Sequence, residues 1–210
     1  MSLKTLRTQY PWPDERPDAP RDMHKWFNER ENARVFDFLL LGHGKGKHTY
    51  AEIGTWTGGG STSWVLNNTA LHVICIDTWE GSREHHKHSD YARRLPTLYD
   101  TFCVNTWHFR DRATPMRERS EHGLEIMREY DVHPDYIYVD GSHEEDDVYN
   151  DISKSLGLFP SAVIFGDDFT NGSGELTAIA AAVDRCYADG LFTPHEFQRI
   201  GRCWWLTRNL

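Results

Sequence analysis

Five short apolar runs constrain this chain more than any other feature: Tyr50–Ile53, Leu71–Ile76, Pro115–Met116, Tyr136–Val139 and Ala162–Phe165. They lack clean alternation of apolar and polar residues, and Ile, Val and Tyr are prominent in them; Pro115–Met116 is the weakest. A strand wetted on one face alternates, so such runs belong to strands buried on both faces, as in a parallel sheet covered by helices. Helical patterns fall before and between them. Met23–Leu41 places Trp26, Phe27, Val35, Phe36, Leu39 and Leu40 near helical spacing, with Gly42 as a stop. Ser142 to Glu145 fits a capping box, followed by a face of Val148, Tyr149, Ile152 and Leu156 before Gly157. Leu176, Ile179, Ala180, Val183 and Tyr187 form a second face that ends before Gly190. Two more runs, Phe197–Ile200 and Cys203–Thr207, are joined by Gly201-Arg202 as a hairpin. Alternating helix and strand followed by an antiparallel pair predicts a doubly wound α/β sheet.

Composition narrows the function classes. With 23 Lys and Arg against 32 Asp and Glu, the formal charge of this 210-residue chain is -9. With no long basic run, the expectation is no nucleic-acid partner and no anionic membrane surface. No apolar stretch approaches the about eighteen residues of a membrane helix, and the N-terminus shows no signal-peptide block. Cys75, Cys103, Cys186 and Cys203 are scattered without a CxxC pair. That predicts buried thiols in a reducing, cytoplasmic setting rather than disulfides or zinc. Residues 1–22, rich in proline, read as an irregular arm that lies on the body or on a second copy in a homo-oligomer, with Trp12 as its anchor. Gly42 to Lys47 reads as a solvated turn, since no phosphate-loop pattern is present.

The stretch Ala51-Glu52-Ile53-Gly54-Thr55-Trp56-Thr57-Gly58-Gly59-Gly60-Ser61 reads as a buried strand, a tight glycine turn and a helix from Ser61 to about Leu66. Ligands of such sheets bind at the carboxyl ends of strands, beside this kind of turn. A nicotinamide fingerprint needs glycine at position 56, where the backbone touches a pyrophosphate; Trp56 would obstruct it. The pattern suits a phosphate-free nucleoside ligand carrying positive charge. Asp77, at the end of the second strand, is placed to accept the hydroxyl hydrogens of a ribose.

A second set of acids ends the later strands: Asp140 in Val139-Asp140-Gly141-Ser142-His143, and Asp167 with Asp168 in Gly166-Asp167-Asp168-Phe169. If those strands are neighbours, three carboxylates converge and require a cation or a proton between them. Oxygen-only ligands select a hard divalent ion, with Mg²⁺ first and Ca²⁺ or Mn²⁺ as alternatives. His143 beside this rim is a candidate general base. The acids of Glu144–Asp147 favour a helix N-terminus, and His85-His86-Lys87-His88 reads as a solvated loop near a substrate mouth.

Taken together, E-I-G-T-W-T-G-G-G-S, I-D-T-W-E-G, V-D-G-S-H and G-D-D-F, in that order from Glu52 onward, resemble the class I S-adenosylmethionine-dependent methyltransferases. The branch most similar contains macrocin and sugar O-methyltransferases and cephalosporin-hydroxylase-like proteins. The resemblance implies one Rossmann-like domain over 23–210, with a seven-stranded sheet and a C-terminal antiparallel hairpin, preceded by the arm 1–22. It implies that Glu52, Gly54, Thr55, Gly58 and Ser61 line the cofactor and that Asp77 holds its ribose. Thr78 and Trp79 would lie beside the adenosine, Ser120 would flank the adenine, and Asp140 would also touch the cofactor. Asp140, Asp167 and Asp168 would bind Mg²⁺. The branch can carry an acidic base where this chain has Ser142, which leaves His143 as the catalytic candidate. The implied activity is methylation of a small hydroxyl-bearing substrate, with the acceptor itself unspecified. Two alternatives stand beside it: a S-adenosylmethionine-binding protein without turnover, and a nicotinamide oxidoreductase.

Overall fold

The computed structural model describes residues 2–23, 27 and 31–210. Seven strands form one sheet: β1 (Thr49–Ile53), β2 (His72–Asp77), β3 (Ala113–Arg117), β4 (Tyr136–Val139), β5 (Val163–Gly166), β6 (Phe197–Ile200) and β7 (Cys203–Leu206). Their order is β3-β2-β1-β4-β5-β7-β6. The first five are parallel, and β7 runs antiparallel between β5 and β6. All five apolar runs are therefore strands, including the weak Pro115–Met116, and the C-terminal hairpin turns at Gly201-Arg202 as expected.

Both faces of β1–β5 are buried, which explains the missing alternation. Ala51 and Ile53 of β1, with Ile137 and Val139 of β4, point into one apolar layer. The intervening Tyr50, Tyr136 and Tyr138 point into the other. The first layer is closed by α7 (Ser120–Glu129), α8 (Glu145–Leu158) and α9 (Ala178–Ala188), through Leu124, Ile152 and Val183. The second is closed by α2 (Asn32–Phe36, continuing as a wider turn over Asp37–Gly42), α3 (Ser61–Asn68) and α6 (Leu98–Thr106), through Phe36, Val65 and Phe102.

Several element boundaries differ from the sequence reading. Of the helix expected over Met23–Leu41, the part from Asn32 is present; Trp26 lies outside the described residues. Part of the supposedly irregular arm is helical. Helix α1 (Leu3–Gln9) buries Leu6 completely, and Trp12 donates its Nε1 proton to the carbonyl of Ala113 at 2.9 Å and stacks on Phe102. The arm thereby packs at β3, one of the two edge strands of the sheet.

The capping box expected at Ser142 does not form. The Ser142 hydroxyl accepts the Glu144 N–H at 3.1 Å and donates to Asp147 at 2.7 Å, so α8 starts at Glu145 and residues 140–144 stay a loop at the sheet rim. The helix also runs through Gly157 to Leu158. Leu176, expected on a buried face, is exposed, because Thr177 caps α9 by accepting the Ile179 N–H. The four cysteines are buried free thiols. Among the described residues no helix is long and apolar enough to cross a membrane.

Candidate functional site

The strand order reverses between β1 and β4: the chain leaves β1 toward β2 and β3, and β4 toward β5. A crevice opens at the carboxyl ends of strands at such a point. Here it widens into a cavity of about 1900 Å³, which spans the glycine loop, Asp77, Ser120 and the acids after β4 and β5. Single-ligand pockets occupy roughly 300–1,000 Å³, so this one has room for two reactants side by side.

The glycine loop is held from behind. Glu52, buried in the middle of β1, accepts three hydroxyl hydrogen bonds, from Ser61 at 2.7 Å, Thr62 at 2.9 Å and Tyr50 at 2.9 Å. Burial pushes its carboxyl up to about 7, while the hydroxyl donors pull the other way. Gly54 has φ +87, and a β-carbon there would lie 2.3 Å from the Asp140 carbonyl; only glycine lets the loop touch the β4 rim. Asp77 accepts the backbone N–H of Trp56 at 2.8 Å and of Trp79 at 2.7 Å. It thus clamps the loop to the end of β2, and burial raises it to about 6 against those two bonds.

Of the residues expected at the cofactor, Gly54, Thr55, Ser61, Asp77, Thr78, Ser120 and Asp140 line the cavity. Glu52, Gly58 and Trp79 do not; they form its second layer. Glu52 is enclosed by its three donors. Gly58 packs against Phe102 and Thr106 of α6. Trp79 is buried and donates its Nε1 proton to the Trp56 carbonyl at 2.7 Å. Their effect on a ligand is therefore through the shape of the loop. The indole of Trp56 lies on the cavity wall, stacked on His85 at 4.1 Å, where a pyrophosphate-binding loop would present bare glycine.

Three acids meet at the other end. Oxygens of Asp140, Asp167 and Asp168 lie within 4.8 Å of one another. The pairing of β4 with β5 brings them together. Asp140 has no side-chain hydrogen bond among the described residues; burial, then repulsion by Asp167 and Asp168, raises its pKa well above the usual carboxylate range. Asp167, buried, accepts Asn32 Nδ2 at 2.7 Å and Arg202 Nε at 2.9 Å, and Arg202 also pairs with Asp168. His143 bridges two carboxylates, its Nε2 3.0 Å from Asp168 and its Nδ1 3.3 Å from Glu84. The hydrogen bond to Asp168 raises its pKa. Burial would raise Asp168, but His143 and Arg202 outweigh it and hold the acid below its ordinary value.

Four contributors escaped the sequence reading: Glu84, Asp151, Asn32 and Arg202. Glu84 lies in the first turn of the exposed helix α4 (Arg83–Lys87), which α5 (Ser89–Ala92) and the buried α6 follow. Asp151 is 4% exposed, lines the cavity and hydrogen-bonds Ser120; burial pushes its carboxyl up to about 7. Its signal was available: Val148, Asp151, Ile152 and Ser155 share one helical stripe, so an acid falls on the buried face. Asn32 and Arg202 carried no local signal, since each acts on an acid far away in sequence.

A family model described as a methyltransferase domain matches residues 51–169, from β1 through the Asp167-Asp168 rim. The chain belongs to that methyltransferase family. No curated protein matches it. Among solved structures, CalS11, a calicheamicin methyltransferase, is 14% identical, covers 97% of this methyltransferase and 89% of its own chain, and has a TM-score of 0.55. An O-methyltransferase family protein from Burkholderia thailandensis is 16% identical over 83% of this chain and 54% of its own, with a TM-score of 0.54. Cofactor-bound Rv0187 from MTB is 19% identical over 99% and 88%, with a TM-score of 0.50. At these identities the likeness establishes the fold of the methyltransferase and leaves its chemistry to its own residues.

Proposed function

We propose that this methyltransferase moves the methyl group of S-adenosylmethionine to a hydroxyl oxygen of a small molecule. The observation that carries the reading is one continuous cavity joining the glycine loop and Asp77 to an acid rim that holds a histidine. Asp77 supports ribose binding, because its carboxylate ends β2 facing the cavity with lone pairs beyond those used by Trp56 and Trp79. Thr55 adds a buried hydroxyl on the cavity wall with no partner among the described residues, ready for a polar group of the cofactor.

The three acids fit a hard divalent cation: the donors are all oxygen, they converge, and Asp140 has no side-chain hydrogen bond among the described residues. Asp140, Asp167 and Asp168 would hold it, and when bound it would supply Lewis-acid polarisation of the acceptor oxygen. His143 is the proposed proton acceptor. Glu84 on Nδ1 fixes the ring, and Nε2 takes up the proton in the neutral ring once that nitrogen is released from Asp168. In the transfer, the carbon–sulfur bond breaks as the carbon–oxygen bond forms; the hydroxyl proton passes to His143, and S-adenosylhomocysteine remains. The rest of the catalysis is alignment of two reactants within one cavity.

Calorimetry with S-adenosylhomocysteine tests the cofactor, and an absence of heat overturns the reading. Methyl transfer to a panel of sugars and phenols, with Mg²⁺ and with chelator, tests acceptor and metal. A cofactor-binding protein without turnover is the second reading. It is favoured by Arg202 and His143 already neutralising the acid rim, and binding without transfer to any acceptor would select it.

A further inference from the structure

Two of the three proposed metal ligands already have a cation. Arg202 places Nε 2.9 Å from Asp167 Oδ1, and its Nη2 contacts Asp168 Oδ1. The guanidinium thus spans both carboxylates of the Asp167-Asp168 pair. Its backbone is held independently. The Arg202 carbonyl accepts the Phe169 N–H at 2.9 Å, and its own N–H donates to Glu31 at 3.3 Å. The side chain lines the cavity and is 29% exposed, so the fork can leave the acids without moving the hairpin.

We propose that Arg202 is an internal competitor for the divalent ion, which binds Asp167 and Asp168 only by displacing the guanidinium. The inference rests on the acid rim being a divalent site. The physical reason is twofold. Arg202 takes Oδ1 of both acids, while Asn32 donates to Oδ2 of Asp167 and His143 Nε2 faces Oδ2 of Asp168, so the pair offers no oxygen without a donor; and two cations a few ångströms apart repel strongly in a partly dry site. Asp140 feels the charge of Arg202 but makes no hydrogen bond to it among the described residues, so its oxygens can give the incoming ion a first ligand. Arg202 therefore keeps the site closed and charge-balanced until a cation of higher charge arrives. Arg202 is thus a positioning residue that sets metal affinity and selectivity, favouring ions able to take several oxygen ligands at once.

The test is Mn²⁺ binding to the full chain, read by electron paramagnetic resonance and calorimetry without any methyl acceptor. Arg202→Met keeps length and removes the fork. It is expected to bind Mn²⁺ about tenfold or more tightly than the parent, the effect of deleting a unit charge next to the ion. Arg202→Lys, which keeps charge but loses the two-pronged contact, is expected between them. Arg199→Met, on the same hairpin but with its guanidinium over Phe169, is expected to match the parent and controls for distant charge. Circular dichroism and thermal melts identify any variant that fails to fold; Arg202→Lys then carries the comparison. Equal or weaker Mn²⁺ binding in the folded Arg202 variants overturns the competition while leaving the metal site intact. No binding to any variant overturns the competition and the metal site together.

Discussion

Ser61 donates its hydroxyl to Glu52 across 2.7 Å, tying the first turn of α3 to the middle of β1. With Thr62 and Tyr50 it makes a buried carboxylate the brace of the glycine loop. Replacing Glu52 with alanine strands three hydroxyl donors in a dry interior. The expected loss is about 2–4 kcal/mol, with weaker S-adenosylhomocysteine binding as the loop relaxes. Glutamine keeps an acceptor and should lose less. Urea unfolding of both variants checks this, and alanine as stable as the parent would refute the brace.

Gly54→Ala should be more damaging to the site than its size implies. The new β-carbon meets the Asp140 carbonyl at 2.3 Å, in a backbone conformation with φ +87. Loop and rim must separate, at a cost of about 2 kcal/mol or more. The expected result is a lower melting temperature and loss of cofactor heat in calorimetry, whereas Gly157→Ala, where a β-carbon meets open space, should be neutral or stabilising.

Asp151 makes stability depend on pH in a defined direction. Burial pushes its carboxyl up to about 7, against about 3.9 for an aspartate in water. Between those values the folded state binds the extra proton, so this residue's contribution falls as pH rises from about 4 to about 7. Asp151→Asn removes the titration and keeps a partner for Ser120. It should therefore gain roughly 1–3 kcal/mol over the parent at pH 8 and nothing near pH 4. Denaturant melts at the two pH values decide it; an equal difference at both would sink the assignment.

The bridge from Glu84 through His143 to Asp168 predicts a split between binding and turnover. His143→Gln should lower kcat by about a hundredfold while leaving S-adenosylhomocysteine affinity unchanged. Glu84→Gln, which loosens the ring without removing it, should cost less. Unchanged kcat in His143→Gln would remove the residue from proton transfer.

Much of this was readable along the chain. Tyr136–Val139 and Ala162–Phe165 announced buried parallel strands because Ile, Val and Tyr recur without a wet face, and Gly54 announced a turn that only glycine can make. Asp77, the last residue of β2, and Asp140, the first after β4, both reach the rim because a strand carries its end to the sheet edge where the loops begin. The misreadings have local causes. Ser142 matched a capping pattern, but its hydroxyl turned to Glu144 and Asp147, and Leu176 fell at helical spacing one residue outside the Thr177 cap. Glu52, Gly58 and Trp79, expected to line the cofactor, pack behind the residues that line the cavity.

The sequence by itself determined the element types and the α/β class, because short-range periodicity and turn chemistry act within a few residues. It also determined the acids at strand ends. Only the tertiary structure decided which of those acids meet. The adjacency of β4 and β5 joins Asp140 to Asp167, and the antiparallel return of β7 carries Arg202 onto both members of the Asp167-Asp168 pair. Those contacts join residues far apart in the chain, and they form only when burial of both sheet faces fixes the strand order.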